Sequence, residues 1–203
     1  MHLRTLLLLV VLALVIPVAT SAPRGIGTSA NAGCLCHGEL NTNTQIEIEG
    51  LPEAFESNTT YAFSIEVISV KIPPVEGGEQ GGFRLLITDG AIEFNASEGQ
   101  IQKLDNGWTH TEAGNAVRSW NLTFVSPDDN ASYVDFIVYG NAVNANQASS
   151  GDQWNSVLFR LPGSSYEGEL PSNDANQFSP TDYSVGIVSL VLLSYLLIRT
   201  LRN

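Results

Sequence analysis

The chain has 203 residues, 21 of them acidic and nine basic, for a net charge of −12. Three basic residues, Arg4, Arg199 and Arg202, lie at the two ends, so the part between them sets 21 acidic against six basic side chains, a net of −15. Such a field excludes nucleic acid and anionic lipid headgroups as partners and favours solubility in a salty or cation-rich medium; roughly 140 ordered residues suffice for one well-cored domain and hardly for two.

In chain order, Met1-His2-Leu3-Arg4 is a short basic start, residues 6–18 are apolar, and the small residues Ala19, Thr20, Ser21 and Ala22 follow. This is the layout of a secretory signal peptide, assigned to residues 1–22, with cleavage after Ser21 or after Ala22. Its removal leaves no methionine and two histidines, His37 and His110. Residues 23–44 show no hydrophobic period and are rich in Gly, Ala, Ser, Thr and Asn, which predicts an irregular segment.

From residue 45 to 162 short runs alternate apolar and polar residues. Ile46, Ile48 and Leu51 alternate with Glu47 and Glu49, and Tyr61, Phe63, Ile65 and Val67 with Ala62, Ser64 and Glu66. Period two predicts half-buried strands, here and over residues 83–88, 91–94, 118–125, 133–139 and 154–161. Turn clusters separate them with no helical stretch between, so the fold class is all-β: an immunoglobulin-like antiparallel β-sandwich. Phe63, Phe83, Trp120, Phe124, Phe136 and Phe159 are assigned to its core. Residues 163–182 are polar and acidic and predict a disordered tether. Residues 183–203 form one C-terminal transmembrane helix with a short tail; Arg199 is the only charge before Leu201, and Arg199 with Arg202 places the tail in the cytoplasm. The sandwich is thereby extracytoplasmic on a single-pass cell-membrane anchor. The sequons at Asn58, Asn95, Asn121 and Asn130 fit a glycoprotein, though about two would arise by chance in this composition.

The only cysteines, Cys34 and Cys36, stand beside His37 in Gly-Cys-Leu-Cys-His-Gly. Three readings of this segment remain open. In covalent haem attachment (haem c), both thiols bond the vinyl groups and His37 ligates iron; that motif has two residues between its cysteines, and here there is one. In a second reading Cys34, Cys36, His37 and His110 form a tetrahedral set for zinc or another thiolate-preferring ion. In a third the cysteines are bridged, as exported thiols commonly are. His110 is read as lying in a loop, Trp-Thr-His-Thr, and as the sole second imidazole available to a haem or metal site. The Asn-rich stretch 140–152, with Asp152 its one carboxylate, is read as a turn-rich loop in preference to a calcium site. No catalytic triad is supported by motif, so nothing marks the chain as an enzyme.

The order of Gly-Cys-x-Cys-His-Gly, Tyr-x-Phe-x-Ile-x-Val, Gly-Gly-Phe, Trp-Thr-His-Thr, Ser-Trp-Asn-Leu-Thr-Phe, then Tyr-Gly-Asn-Ala-Val-Asn-Ala-Asn and Gly-Asp resembles the choice-of-anchor V domain, a group similar to reelin-domain (Reeler) proteins. The resemblance runs from about Gly33 to Leu161. It implies a secreted sandwich whose members use varied C-terminal anchors. Many bacterial members carry a haem-attachment motif near the mature N-terminus, a role that transfers here to Cys34, Cys36 and His37. The sequence thus leads to a membrane-anchored sandwich that binds a haem or metal for electron transfer or redox sensing, with a redox or surface protein as partner. The alternative is a cofactor-free surface adhesion or recognition module presenting loops such as 141–152.

Overall fold

The computed structural model describes residues 22–34, 38–146, 150–172 and 180–202. They form ten strands and one helix: β1 (Gly38–Leu40), β2 (Thr44–Glu49), β3 (Thr60–Ser69), β4 (Gly81–Ile87), β5 (Ala91–Glu93), β6 (Ile101–Leu104), β7 (Gly107–His110), β8 (Ser119–Val125), β9 (Tyr133–Ala142), β10 (Asp152–Pro162) and α1 (Pro180–Arg202). Two sheets result, a six-stranded one in the order β1-β10-β9-β4-β7-β6 and a four-stranded one in the order β2-β3-β8-β5. All ladders are antiparallel except β1 on β10.

Alternation along the strands decides which face is buried. In β8, Trp120, Leu122 and Phe124 turn inward while Ser119 and Asn121 are exposed. In β9, Val134, Phe136 and Val138 are fully buried. The two inner faces meet through aromatic contacts: Phe124 edge-on to Phe136 at 5.0 Å, Phe63 to Phe136 at 5.9 Å, and Phe83 against Trp120 at 4.7 Å. The Trp120 indole N–H, which burial would otherwise orphan, donates to Gly114 O at 3.0 Å. Of the six aromatics assigned to the core, five are buried and Phe159 packs against them partly buried.

Three strands lie outside the expected set, β1, β6 and β7. Leu104 pairs with Gly107, so β6 and β7 are joined by the two residues Asp105 and Asn106, at φ 45° and 57°. Two successive left-handed residues are what a tight hairpin turn requires, and Asp and Asn tolerate them best among non-glycines. His110 is therefore the last residue of a strand, which corrects its placement in a loop.

Residues 22–34 are irregular, as expected, but they fold back as a strap over the outer face of the six-stranded sheet. Ile26 N–H donates to Thr109 Oγ1 at 3.2 Å and Thr28 N–H to Asp105 Oδ2 at 3.2 Å. Tyr139 Oη donates to Asn31 O at 2.6 Å. Gly33, at φ +117°, presses on the Trp154 ring, where a Cβ would come within 2.3 Å of a ring carbon; only glycine fits. The strap crosses β7, β4, β9 and β10 in turn.

Beneath it lies Arg84, fully buried. Its guanidinium donates to Asn31 Oδ1 (3.2 Å), Leu104 O (2.6 Å) and Asp105 O (2.8 Å), joining the strap to the β6–β7 hairpin. Burial lowers its pKa, and Asp105 opposes that. A buried cation persists only when its donors are matched, and a guanidinium fork meets several carbonyls at once.

At the end of β10 the chain stays attached to the sandwich for a few residues. Gly163 bridges Phe55, Ser165 N–H reaches Asn130 O at 3.0 Å, and Tyr166 packs edge-on against Tyr133 at 5.6 Å. The first compact unit ends at Gly168 and a second comprises residues 169–203. In the second, Tyr183–Thr200 has a mean hydropathy of 1.7 and its apolar side chains are exposed, so α1 is long and apolar enough to cross a membrane. Its 23 residues at 1.5 Å rise give about 35 Å, which covers the roughly 30 Å hydrocarbon core.

Candidate functional site

β10 runs the length of the sandwich, and its two ends differ. At Pro162 it runs on into residues 163–166, which stay on the sandwich. At Asp152, the far end, the register brings together Gly38 of β1, Ala142 at the end of β9 and Gly81 at the start of β4. Of the residues singled out in the sequence, Asp152 lies there, His110 sits over Gly82 and Cys34 follows Gly33 on Trp154.

Cys34, partly buried, ends the described part of the strap, directly after Gly33 on Trp154. Burial raises the pKa of Tyr139, and negative charge on Cys34 raises it further, so the thiol and the phenol are electrostatic neighbours. Cys36 and His37 lie outside the described residues. Trp154 and Asn141 are register partners on β10 and β9, and Trp154 Nε1 and Asn141 Oδ1 are buried without a hydrogen-bond partner.

His110 is 6% exposed. Its Nδ1 lies 3.2 Å from Phe83 N and its Nε2 3.2 Å from Ala22 O. The ring fills the space above Gly82, where a Cβ would come within 2.5 Å of it. Burial lowers its pKa, against hydrogen bonds to the Phe83 and Ala22 backbone that raise it. The imidazole is thus neutral at pH 7, with both nitrogens engaged by main chain, so in this conformation it has no lone pair to give iron or zinc. Among the described residues no group of three or more His, Cys, Asp or Glu side chains could hold a metal ion.

The loops of the far end are fastened by a second buried arginine. Arg118 donates from Nη1 to Ile72 O (2.5 Å), from Nε to Gln80 O (2.8 Å) and from Nη2 to Val143 O (3.3 Å), which ties the β3–β4 loop to the end of β9. Burial lowers its pKa and Asp152 opposes that. Asp152 itself accepts the Asn144 N–H at 3.0 Å, and Asn144 Oδ1 accepts the Asn146 N–H at 3.1 Å. The described part of the Asn-rich stretch is therefore a turn capped by side chains, and among its described residues the left-handed positions are Ala145 and Gly151. Above this clamp Val70 is 86% exposed, with Val75 also exposed.

The sequence reading missed Arg84, Arg118 and Tyr139. An arginine between Phe83 and Leu85 was a readable signal, because a charge in so apolar a run needs a partner once covered.

No family model matches the chain, and no curated protein matches it. Similar solved structures include the reeler domain of human F-spondin, at 17% identity and a TM-score of 0.40 over 61% of this chain and 90% of that one. Reeler domains are the group that the sequence motifs resemble. A conjugative transposon lipoprotein from Bacteroides eggerthii is also similar, at 14% identity and a TM-score of 0.36 over 60% of this chain and 98% of that one. These are likenesses of fold, and the two-sheet sandwich stands on its own strand pairing.

Proposed function

We propose that the chain is a membrane-tethered extracytoplasmic recognition module that presents its far end to a neutral or basic partner surface. The observation that carries this reading is the division of labour along β10. One end of β10 runs on into residues 163–168, while at the other Arg118 holds Ile72 and Gln80 of the β3–β4 loop and Val143 after β9, beside the exposed Val70 and Val75. Fixed loops lose little freedom on binding, which favours recognition. The acidic charge selects against anionic partners.

The test is site-specific photocrosslinking on intact cells from Val70 or Asn146, compared with Asn121 on the outer face of the four-stranded sheet. Adducts from the two loop positions and none from Asn121 are expected. Equal crosslinking from all three positions removes the proposal.

A second reading places a haem or a thiolate-preferring metal on Cys34, Cys36 and His37 at the same end, where it would supply electron transfer. It is favoured by the strap, which seats Gly33 on the Trp154 ring and so fixes the chain directly before Cys34. His110 does not fit as a further ligand. An absorption spectrum of protein purified from its native membrane, with a pyridine haemochrome test and a zinc determination, decides this reading.

A further inference from the structure

The buried ring of His110 is left without a role by either reading, and its partners point to one. Thr109 Oγ1 donates to Phe83 O at 2.7 Å and accepts the Ile26 N–H, so its proton is committed. Phe83 N–H then occupies Nδ1, and the ring proton sits on Nε2, facing Ala22 O. The same carbonyl accepts the Gly25 N–H at 3.1 Å, closing a turn over Pro23 and Arg24. The Ala22 carbonyl thus holds two buried or turn-forming N–H groups at once.

We infer that the bond between Ser21 and Ala22 is the site at which the chain is processed, and that His110 is the socket that seats the new N-terminus. This rests on the reading of the sandwich as exported. Ala19 and Ser21 supply the small residues that signal peptidase accepts before the cut. Hydrolysis there adds one water: the oxygen goes to a new Ser21 carboxylate and Ala22 gains a free amine, protonated at neutral pH. A cut one residue later would remove the carbonyl, leave the buried Nε2–H without its acceptor and put Pro23 first. An unpaired buried donor is expensive, so a chain cut there would hold its strap less firmly.

The full chain is expressed in its native membrane, and the exposure of the sandwich to a protease that cannot cross the membrane is measured together with intact mass and N-terminal sequence. The expected result is an accessible sandwich beginning at Ala22. An accessible sandwich beginning at Pro23 or elsewhere overturns the processing site and leaves the export reading standing; an inaccessible sandwich retaining Met1 overturns both. The socket is tested by His110→Asn, which keeps an oxygen for the Phe83 N–H but is too short to reach Ala22. Tryptic cleavage after Arg24 should become several-fold faster in the variant. An unchanged rate removes His110 from this role, and the N-terminal sequence of the unaltered protein tests the cut whether or not the variant folds.

Discussion

The two faces of the six-stranded sheet are covered by different physics, the inner one by the opposite sheet and the outer one in part by the strap. On the inner face Phe83, Leu85 and Val138 meet the aromatic side chains of the opposite sheet, and water is excluded by apolar area. On the outer face Arg84, Thr109 and Tyr139 meet the strap through hydrogen bonds to its main chain and to Asn31. Successive residues of one strand, Phe83 and Arg84, therefore belong to two interiors. Apolar burial tolerates loose geometry and scales with area, whereas polar burial holds only while every donor keeps its acceptor. The inner face should accordingly control global stability and the outer face the seating of the strap.

The largest effect is expected on the inner side. Trp120→Ala removes a fully buried indole packed on Phe83 and frees Gly114 O, a loss of about 3–5 kcal/mol, or roughly 10 °C in melting temperature for a domain of this size. A melting curve that does not move would mean that the inner face is not what holds the sheets together. Next is Arg84→Ala, which leaves the Leu104 and Asp105 carbonyls and Asn31 Oδ1 without their donor, at a cost of about 2–4 kcal/mol. Arg84→Lys should rescue little, since a single ammonium cannot span three acceptors. Full rescue by lysine would show that charge matters there and the fork does not.

The same contrast explains what could be read from the sequence. Inner-face residues announce themselves by alternation, which is why β2, β3, β4, β5, β8, β9 and β10 were visible within a few residues. The β6–β7 hairpin was not, because its strands are four residues long and their outward positions, Gln102, which donates to Arg24 O, and Thr109 serve the strap. Its turn, Asp-Asn-Gly at 105–107, was a usable signal that passed unread. β1 is three residues paired in parallel with a strand more than a hundred positions away, and no local pattern encodes that. The strap binds through its backbone, so it carries no hydrophobic period, and the burial of Arg84 and His110 that follows from it was equally invisible. That Cys34 belongs to a segment able to carry chemistry was legible from its motif; that His110 serves the main chain was not.

Acid should loosen the outer face before the inner one. The pKa of His110 is lowered in the folded protein by burial, so the unfolded chain binds the proton more readily. Its contribution is fully present above the unfolded value of about 6.5 and is lost as pH falls below that towards the lowered folded value. Protonation would also set a second N–H against Phe83 N–H. Protection factors at Gly25 and Ile26, with the intrinsic slowing of exchange in acid divided out, are expected to fall from about pH 7.5 to 5.5 while those of the β8 amides hold; loss of protection in both together would merge the two interiors into one cooperative unit.

The smallest effect should come from Tyr139→Phe. The phenol donates to Asn31 O at 2.6 Å, but Asn31 is exposed, and water can replace the lost donor. A neutral hydrogen bond replaced in this way contributes at the low end of the usual range, about 0.5 kcal/mol, and the melting temperature should fall by no more than about 2 °C. The local consequence should still be measurable, because the bond fixes the strap just before Gly33 and Cys34. If the strap positions the cysteine motif, the rate at which a thiol reagent labels Cys34 in the reduced protein should rise in Tyr139→Phe with hardly any change in global stability. An unaltered labelling rate would mean that Gly33 on Trp154 is enough to hold that end of the strap. A melting temperature that fell as far as in Trp120→Ala would instead show the outer face carrying the weight assigned here to the inner one.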